Sequence, residues 1–564
     1  MLPDEIILSI CQYLREADVL YSFYNLNTRL NITITGYCRY VNLMAVSYKQ
    51  FEYAVSYVLP QIGSFVRTFV LNGNWETIIN KNLSSILFIS RLSLLFPQLE
   101  RLIIKWFTSE RLLSFIDSIQ DFSKLIELDI RFLRGCTIDT LLTKVLSANN
   151  SQLKIVSIDQ DSIDLDISDD GNVISYPNIQ ELTINLTLSK LIPCVFALVP
   201  NVRCLYLNTD ELSNGSKSQL INNSLPCLVH LITFQLRSIN FFWTFDEIAH
   251  LLKAMPSVKQ LALDLRTDDK RLVNQEDFMT ILPSSLTKLD FFIRYYFSKS
   301  NRDTELATSF LSTHIPTACL LDEPRHRFLI HTIPYDVHSA ILTATISKQM
   351  PSGWKYMQRI KDLYIYDITS MLEILLILQH FRGLRTLTID ATDRSQILTL
   401  PKESQSINLE LPFLKQIETS GIFELFPLLN AAPNLDYLIV YFDCLKTLFD
   451  DEFTCRLLQT RIIRLNIMDW IDVNSDLLQR ISEVFGSLRH LVITLKDSTV
   501  LIDNFVLKII SLWKEKTRLS VDVTGSLPEE IRKNLRQWII DHSHIKAEDS
   551  FTVEYNENWF DLWF

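Results

Sequence analysis

Glycine is scarce: only 11 of 564 residues, well under the usual ~7%. Gly-rich phosphate-binding loops are therefore not expected, and neither G-x-x-x-x-G-K-[ST] nor G-x-G-x-x-G occurs. G-x-S-x-G and H-E-x-x-H are missing too, which removes the nucleophile elbow and the helical zinc motif. Cysteine pairs at C-x-x-C spacing are absent. The 9 cysteines are scattered from Cys11 to Cys455, a pattern expected of reduced thiols in an intracellular protein, cytoplasmic or nuclear. Positive charge is also in deficit, with a net charge of −11 and no basic block. Nucleic acid, which must be neutralised by Lys and Arg, is not an expected partner. Every apolar run is broken by charge well before ~18 residues, so no membrane span is expected. The first residues, MLPDEIILSI, carry acids where a signal peptide carries bases.

What remains is an apolar chain, 48% hydrophobic and 21% charged. It is too long for one compact core, but suited to an architecture that grows by repetition. A short pattern recurs: an apolar residue, two mostly polar ones, an apolar one, any residue, then a β-favouring apolar one. Leu99-Glu100-Arg101-Leu102-Ile103-Ile104 is one copy, and Leu125-Ile126-Glu127-Leu128-Asp129-Ile130 is the next. From Leu99 the copies start at 125, 153, 179, 202 and 228, in steps of 26, 28, 26, 23 and 26. Later copies begin at Val258, Leu286, Ile360, Leu384, Leu435, Ile462 and Leu488, and weaker ones at Val66 and Leu414. Between copies the chain reads as amphipathic helix, as in Leu372–Leu378. A strand plus a helix per unit cannot bury its apolar face alone, so units must stack.

This spacing resembles the leucine-rich-repeat family over roughly residues 60–525. It implies an α/β solenoid of about fifteen units, with a parallel sheet on the concave face and helices outside. The family's Asn or Cys in the strand-loop is mostly replaced, here by Phe107, Leu133, Asp161 and Thr187. The series is interrupted at about 296–358, a stretch read as an insertion with one degenerate repeat and a long loop.

The first residues depart from the repeat. Leu2-Pro3-Asp4-Glu5 starts a helix, and Ile6, Ile7, Ile10, Cys11 and Leu14 are predicted to share one face of it. Asp18 is read as the cap of a second helix. Leu2 to Asp18 resembles the F-box, a helical motif of about 40–50 residues. The order of F-box then repeats resembles the F-box/leucine-rich-repeat family. That resemblance implies a non-catalytic substrate receptor: the F-box docks a Skp-type adaptor of a cullin-RING ubiquitin ligase, and the repeats capture a protein target. Carried over by position, Leu2, Pro3, Ile6, Ile10 and Leu14 would lie at the adaptor. The expected domains are the F-box-like motif at 1–45, a linker or N-terminal cap at 46–64, the repeats at 65–525 and a C-terminal cap at 526–564. Two other readings share the sequence: a repeat scaffold unconnected to ubiquitin ligases, and an enzyme with a site in the 296–358 insertion.

No catalytic, cofactor or metal residues are expected. His326 and His331 lie five apart, off one helical face, and no cysteine pair supports them. Cys319 has no catalytic partner pattern, and the acidic stretch from Asp159 to Asp170 lacks a calcium loop's glycine. In L-x-x-L-x-L the leucines point inward and alternate residues point out. Outward positions then include Lys105, Tyr206, Asp264, Tyr364, Tyr366, Asp390 and Tyr441, with Trp106 and Trp470 just beyond their strands. Aromatic side chains dominate interface hot spots, so Trp106, Tyr206, Tyr364, Tyr366 and Tyr441 are the candidate partner-binding residues. The tail Trp559–Phe564 is expected to fold back as a cap, since exposed it would invite aggregation.

Overall fold

The computed structural model describes residues 3–564 apart from 12–13, 15, 44–45, 47, 73–91, 108, 134–139, 159–173, 210–224, 298–315, 323–325, 336, 350–356, 358, 401–408, 472–475, 514–518, 550 and 557. Leu2, His314 and the Asp159–Asp170 stretch lie outside the described residues. The chain divides into two compact units, one of 1–46 and 50–333, the other of 47–49 and 334–564.

The first unit begins with three helices, α1 (Asp4–Cys11), α2 (Glu16–Phe23) and α3 (Thr28–Tyr37). Its strands are β1 (Tyr40–Asn42), β2 (Thr68–Asn72), β3 (Arg101–Lys105), β4 (Glu127–Arg131), β5 (Ile155–Ile158), β6 (Glu181–Leu186), β7 (Cys204–Thr209), β8 (Thr233–Phe242), β9 (Gln260–Thr267), β10 (Lys288–Tyr296), β11 (Thr317–Asp322) and β12 (Arg327–Thr332). They form one 12-stranded sheet. β1 to β10 follow chain order, each parallel to the next, and β12 and β11 close the edge antiparallel.

The second unit holds β13 (Ser339–Thr343), β14 (Asp362–Ile368), β15 (Thr386–Ala391), β16 (Ile397–Leu398), β17 (Gln416–Ser420), β18 (Ile422–Phe423), β19 (Tyr437–Tyr441), β20 (Arg464–Trp470), β21 (His490–Leu495), β22 (Ser520–Thr524), β23 (Thr552–Asn556) and β24 (Trp559–Trp563). Ten of these make its main sheet, while β16 and β18 pair separately. The parallel run from β13 to β22 again follows chain order, and the aromatic tail strand β24 joins its edge antiparallel, with β23 beyond it. Each unit is thus a strand-by-strand α/β stack, with a described helix between most of its successive parallel strands.

The register explains why the pattern folds this way. Counting Leu99 as position 1, positions 4 and 6 of successive repeats align: Leu102 on Leu128, then Val156, and Ile104 on Ile130. These residues are fully buried or nearly so. Each such side chain stabilises by about 1.5–3 kcal/mol through burial, and only the neighbouring repeats supply the cover. On the same face, Phe291 of β10 meets Phe278 of the helix Gln275–Thr280 at 5.7 Å.

Register also corrects several expectations. The copy placed at Leu228 begins at Leu231, because Leu205 pairs with Phe234. The interval from Leu286 to Ile360 contains the β11–β12 hairpin and the first strand of the second unit. In that strand Ala340 takes position 4 opposite Leu363, and the small side chain hid the repeat. β1 carries another unrecognised copy, with Val41 opposite Phe69.

At three repeats position 9, where the family has Asn, holds a buried hydrophobic anchor, Phe107, Ile368 and Trp470, each at most 2% exposed, whereas Leu133 and Thr187 there are half-buried. Phe107 contacts Phe115 at 5.6 Å, and Trp470 contacts Phe442 at 4.8 Å and Phe505 at 5.6 Å. Trp470 therefore does not face outward as expected; its ring fills the core beneath the strand end.

Candidate interaction surfaces

α1 is split between two environments. Cys11 is fully buried, Ile7 is half-buried, and Ile6, Ile10 and Leu14 are 45%, 42% and 39% exposed. The five residues do not share a face. A step of four places Ile6 and Ile10 on one outward face of α1, and Leu14, beyond the helix end, is exposed as well, while Cys11 is buried. Pro3 is exposed at the head of the helix. Asp18 lies inside α2, not at its start, and accepts from Gln50 at 3.2 Å. Tyr24 donates to Gln61 at 2.8 Å, and Asn27 caps α3 by accepting from the Leu30 N–H at 3.0 Å. These bonds hold the helical segment together and leave Ile6, Ile10 and Leu14 exposed.

The outward face of a repeat consists of positions 3, 5 and 7. In the first unit this places Lys105 and Arg131 side by side at position 7 and Tyr206 at position 5 of β7. Tyr206 is half-buried, and burial pushes its hydroxyl up to about 12. Asp129 is 2% exposed and is held by Arg101 at 3.0 Å and Arg131 at 2.5 Å. Asp264 reaches the expected face but is 8% exposed: Arg294 pairs with it, and Arg237 Nε stands 3.6 Å away. Arg266 stacks over Phe242 and Tyr296 at 4.0 and 4.4 Å. This buried arginine–carboxylate network was not visible in the sequence, because its members come from strands 20 to 30 residues apart. Trp106 lies at position 8, half-exposed, stacked on Phe132 at 4.7 Å.

In the second unit the outward face brings three of the candidate tyrosines to nearby strands. Tyr364 and Tyr366 sit on β14 with ring centres 5.9 Å apart. The Tyr364 hydroxyl lies 3.5 Å from an Asp390 carboxylate oxygen on β15, and Arg394 reaches Asp390 at 3.3 Å. Arg394 also lies 5.6 Å over the ring of Tyr441 on β19, linking the two tyrosine groups. Sequence reasoning missed Arg394, Glu418 and Tyr437. Glu418 on β17 and Tyr437 on β19 occupy positions 5 and 3 of the same face. Burial raises Glu418 above the usual carboxylate range, and the Thr388 side chain, bonded to it, opposes that shift. Burial pushes Tyr364 up to about 12, with the Asp390 and Glu418 charges adding to it.

Among the described residues no group of three or more His, Cys, Asp or Glu is placed to hold a metal ion. His331 is 1% exposed and stacks on Phe292 at 6.1 Å. Burial pushes the Cys319 thiol up to about 12, the opposite of what a nucleophile needs. No helix of the described residues is long and apolar enough to cross a membrane.

No protein-family model matches the sequence. No curated protein matches it either. Among solved structures the chain is similar to that of the TLR13–ssRNA13 complex, at 13% identity and a TM-score of 0.26, over 83% of this chain and 73% of that one. A likeness so loose assigns nothing to this chain. Its architecture rests on strand order and register.

Proposed function

We propose that this protein is the substrate-receptor subunit of an SCF-type cullin-RING ubiquitin ligase, with α1 docking a Skp-type adaptor and the strand faces holding a protein target. The observation that carries the reading is the exposed apolar pair Ile6 and Ile10 on α1, with Leu14 exposed just beyond the helix. Three exposed large apolar side chains gain by burial against a partner groove, and they occupy positions at which the F-box resemblance puts its adaptor contact. The outward tyrosines Tyr364, Tyr366 and Tyr441, with Tyr206 and Trp106 on the other unit, are the target-facing residues on this reading. No cofactor is required, since ubiquitin transfer belongs to partner subunits, and the chain works in the cytoplasm or nucleus.

The test is co-elution of the full chain with a purified Skp-type adaptor. The double variant Ile6→Glu/Ile10→Glu should lose co-elution while keeping its melting temperature. Failure of the unaltered chain to bind overturns the ligase reading and leaves a repeat scaffold that works without one. Once affinity purification and mass spectrometry have supplied a target, Tyr364→Ala/Tyr366→Ala should weaken its capture.

A further inference from the structure

The outward face of the second unit has a specific chemistry. Its own arginines are committed: Arg464 lies 4.6 Å over Tyr437 and pairs with Asp436 at 2.9 Å, and Arg394 pairs with Asp390. Glu418 is different. Among the described residues it has a Thr388 hydrogen bond and no basic partner. It stands two strands from Tyr364, which is 36% exposed and whose hydroxyl leans towards Asp390. A half-buried carboxylate and a part-exposed aromatic ring on one face, two strands apart, attract a cation that spans them, by charge and by the ring's quadrupole. It repels phosphate and acidic peptides. Of the natural cations, a guanidinium fits best, because it stacks flat on a ring while its N–H fork grips a carboxylate. The face itself uses that pairing twice, in Arg464 with Tyr437 and Arg394 with Tyr441.

We propose that this face recognises an arginine of a protein partner, its guanidinium stacked on Tyr364 and paired with Glu418. The proposal rests on the reading that the strand faces hold a protein, and it names the chemistry of the contact. Desolvation that holds Glu418 above the ordinary carboxylate range is the cost that a bound guanidinium would offset.

The probe is acetyl-Gly-Ser-Arg-Ser-Gly-amide, titrated into the full chain by ligand-observed NMR. Peptides with citrulline or lysine in place of the arginine serve as comparisons. Arginine should bind roughly tenfold more tightly than citrulline, the factor expected of one partly desolvated cation–π and ion-pair contact. Glu418→Gln keeps the shape and the Thr388 bond and should abolish that preference. Tyr364→Leu provides a second, independent variant with the same expectation. Glu529→Gln, on an exposed helix elsewhere in the unit, should change nothing. Equal binding of arginine and citrulline, or a preference that survives Glu418→Gln, overturns the proposal. So does an equal loss in Glu529→Gln, which would show attraction to the net charge alone, and equal binding of lysine overturns the choice of arginine. No adaptor is present, so a failure here is separate from a failure of adaptor docking.

Discussion

Trp106 and Phe132 stack with ring centres 4.7 Å apart and 14° between planes, although both sit in the left-handed region, at φ 62° and 54°. They hold the same place, position 8 of successive repeats, just past β3 and β4. The Trp106 N–H donates to the Arg131 carbonyl at 3.1 Å, so the left-handed turn aims the amide at the next strand. A bulky L residue at positive φ costs about 1–2 kcal/mol. The stack and the redirected hydrogen bond oppose that cost.

The stack should appear as coupling. In a double-mutant cycle of Trp106→Ala and Phe132→Ala, the two changes should be non-additive by about 0.5–1.5 kcal/mol, the usual worth of an offset aromatic pair. Chemical denaturation of the four chains measures it. Additive losses would mean that each ring is held by its own surroundings and that the pair is coincidental.

Much of this arrangement could be read beforehand, and the reasons for the misses are physical. Period and inward leucines were visible because burial between repeats demands large apolar side chains at positions 4 and 6. Ala340 escaped, since a small residue satisfies the same place when its neighbour Leu363 is large. Trp470 was misplaced because counting alternation past a strand end ignores the left-handed turn at Asp469, φ 55°, which swings the next side chain back into the core. Tyr364 and Tyr366 could be named from one strand's alternation. Glu418 and Arg394 could not, because their meaning arises only when residues far apart in the chain, such as Tyr364 and Glu418, are laid on one face.

His331 makes a pH prediction for the first unit. It is buried and its Nδ1 lies 2.9 Å from the Thr332 carbonyl oxygen, so the neutral ring donates there. Burial lowers its folded value below the ordinary one near 6.5. Between the lowered value and ~6.5 the unfolded chain binds more protons than the folded one, so stability falls as pH falls through that window and levels off below it. At most about 1.4 kcal/mol is lost per pH unit. Melting curves at pH 7.5 and 5.5 should show a smaller drop for His331→Gln than for the parent chain. An identical drop in both removes His331 as the cause.

Four position-8 residues of the second unit lie at positive φ, and they are of two kinds. Asp367 and Asp469 hold φ 60° and 55°, within reach of an L residue, whereas Gly421 and Gly525 hold φ 132° and 154°, which only glycine adopts readily. At Gly525 a Cβ would meet Ile502 Cγ2 at 2.2 Å, and at Gly421 it would meet the Ala391 Cβ at 2.7 Å. Gly525→Ala and Gly421→Ala should each destabilise by at least about 2 kcal/mol, from forced φ and overpacking together. Asp469→Gly acts in the other sense at the same repeat position: it relieves left-handed strain but loosens the unfolded chain, and should fall within about 1 kcal/mol of the parent. Denaturation midpoints of the three variants decide it. If the alanines are tolerated, the turn has room to move to the φ that the aspartates use. If Asp469→Gly is as damaging as they are, its carboxylate, not its backbone, holds the turn.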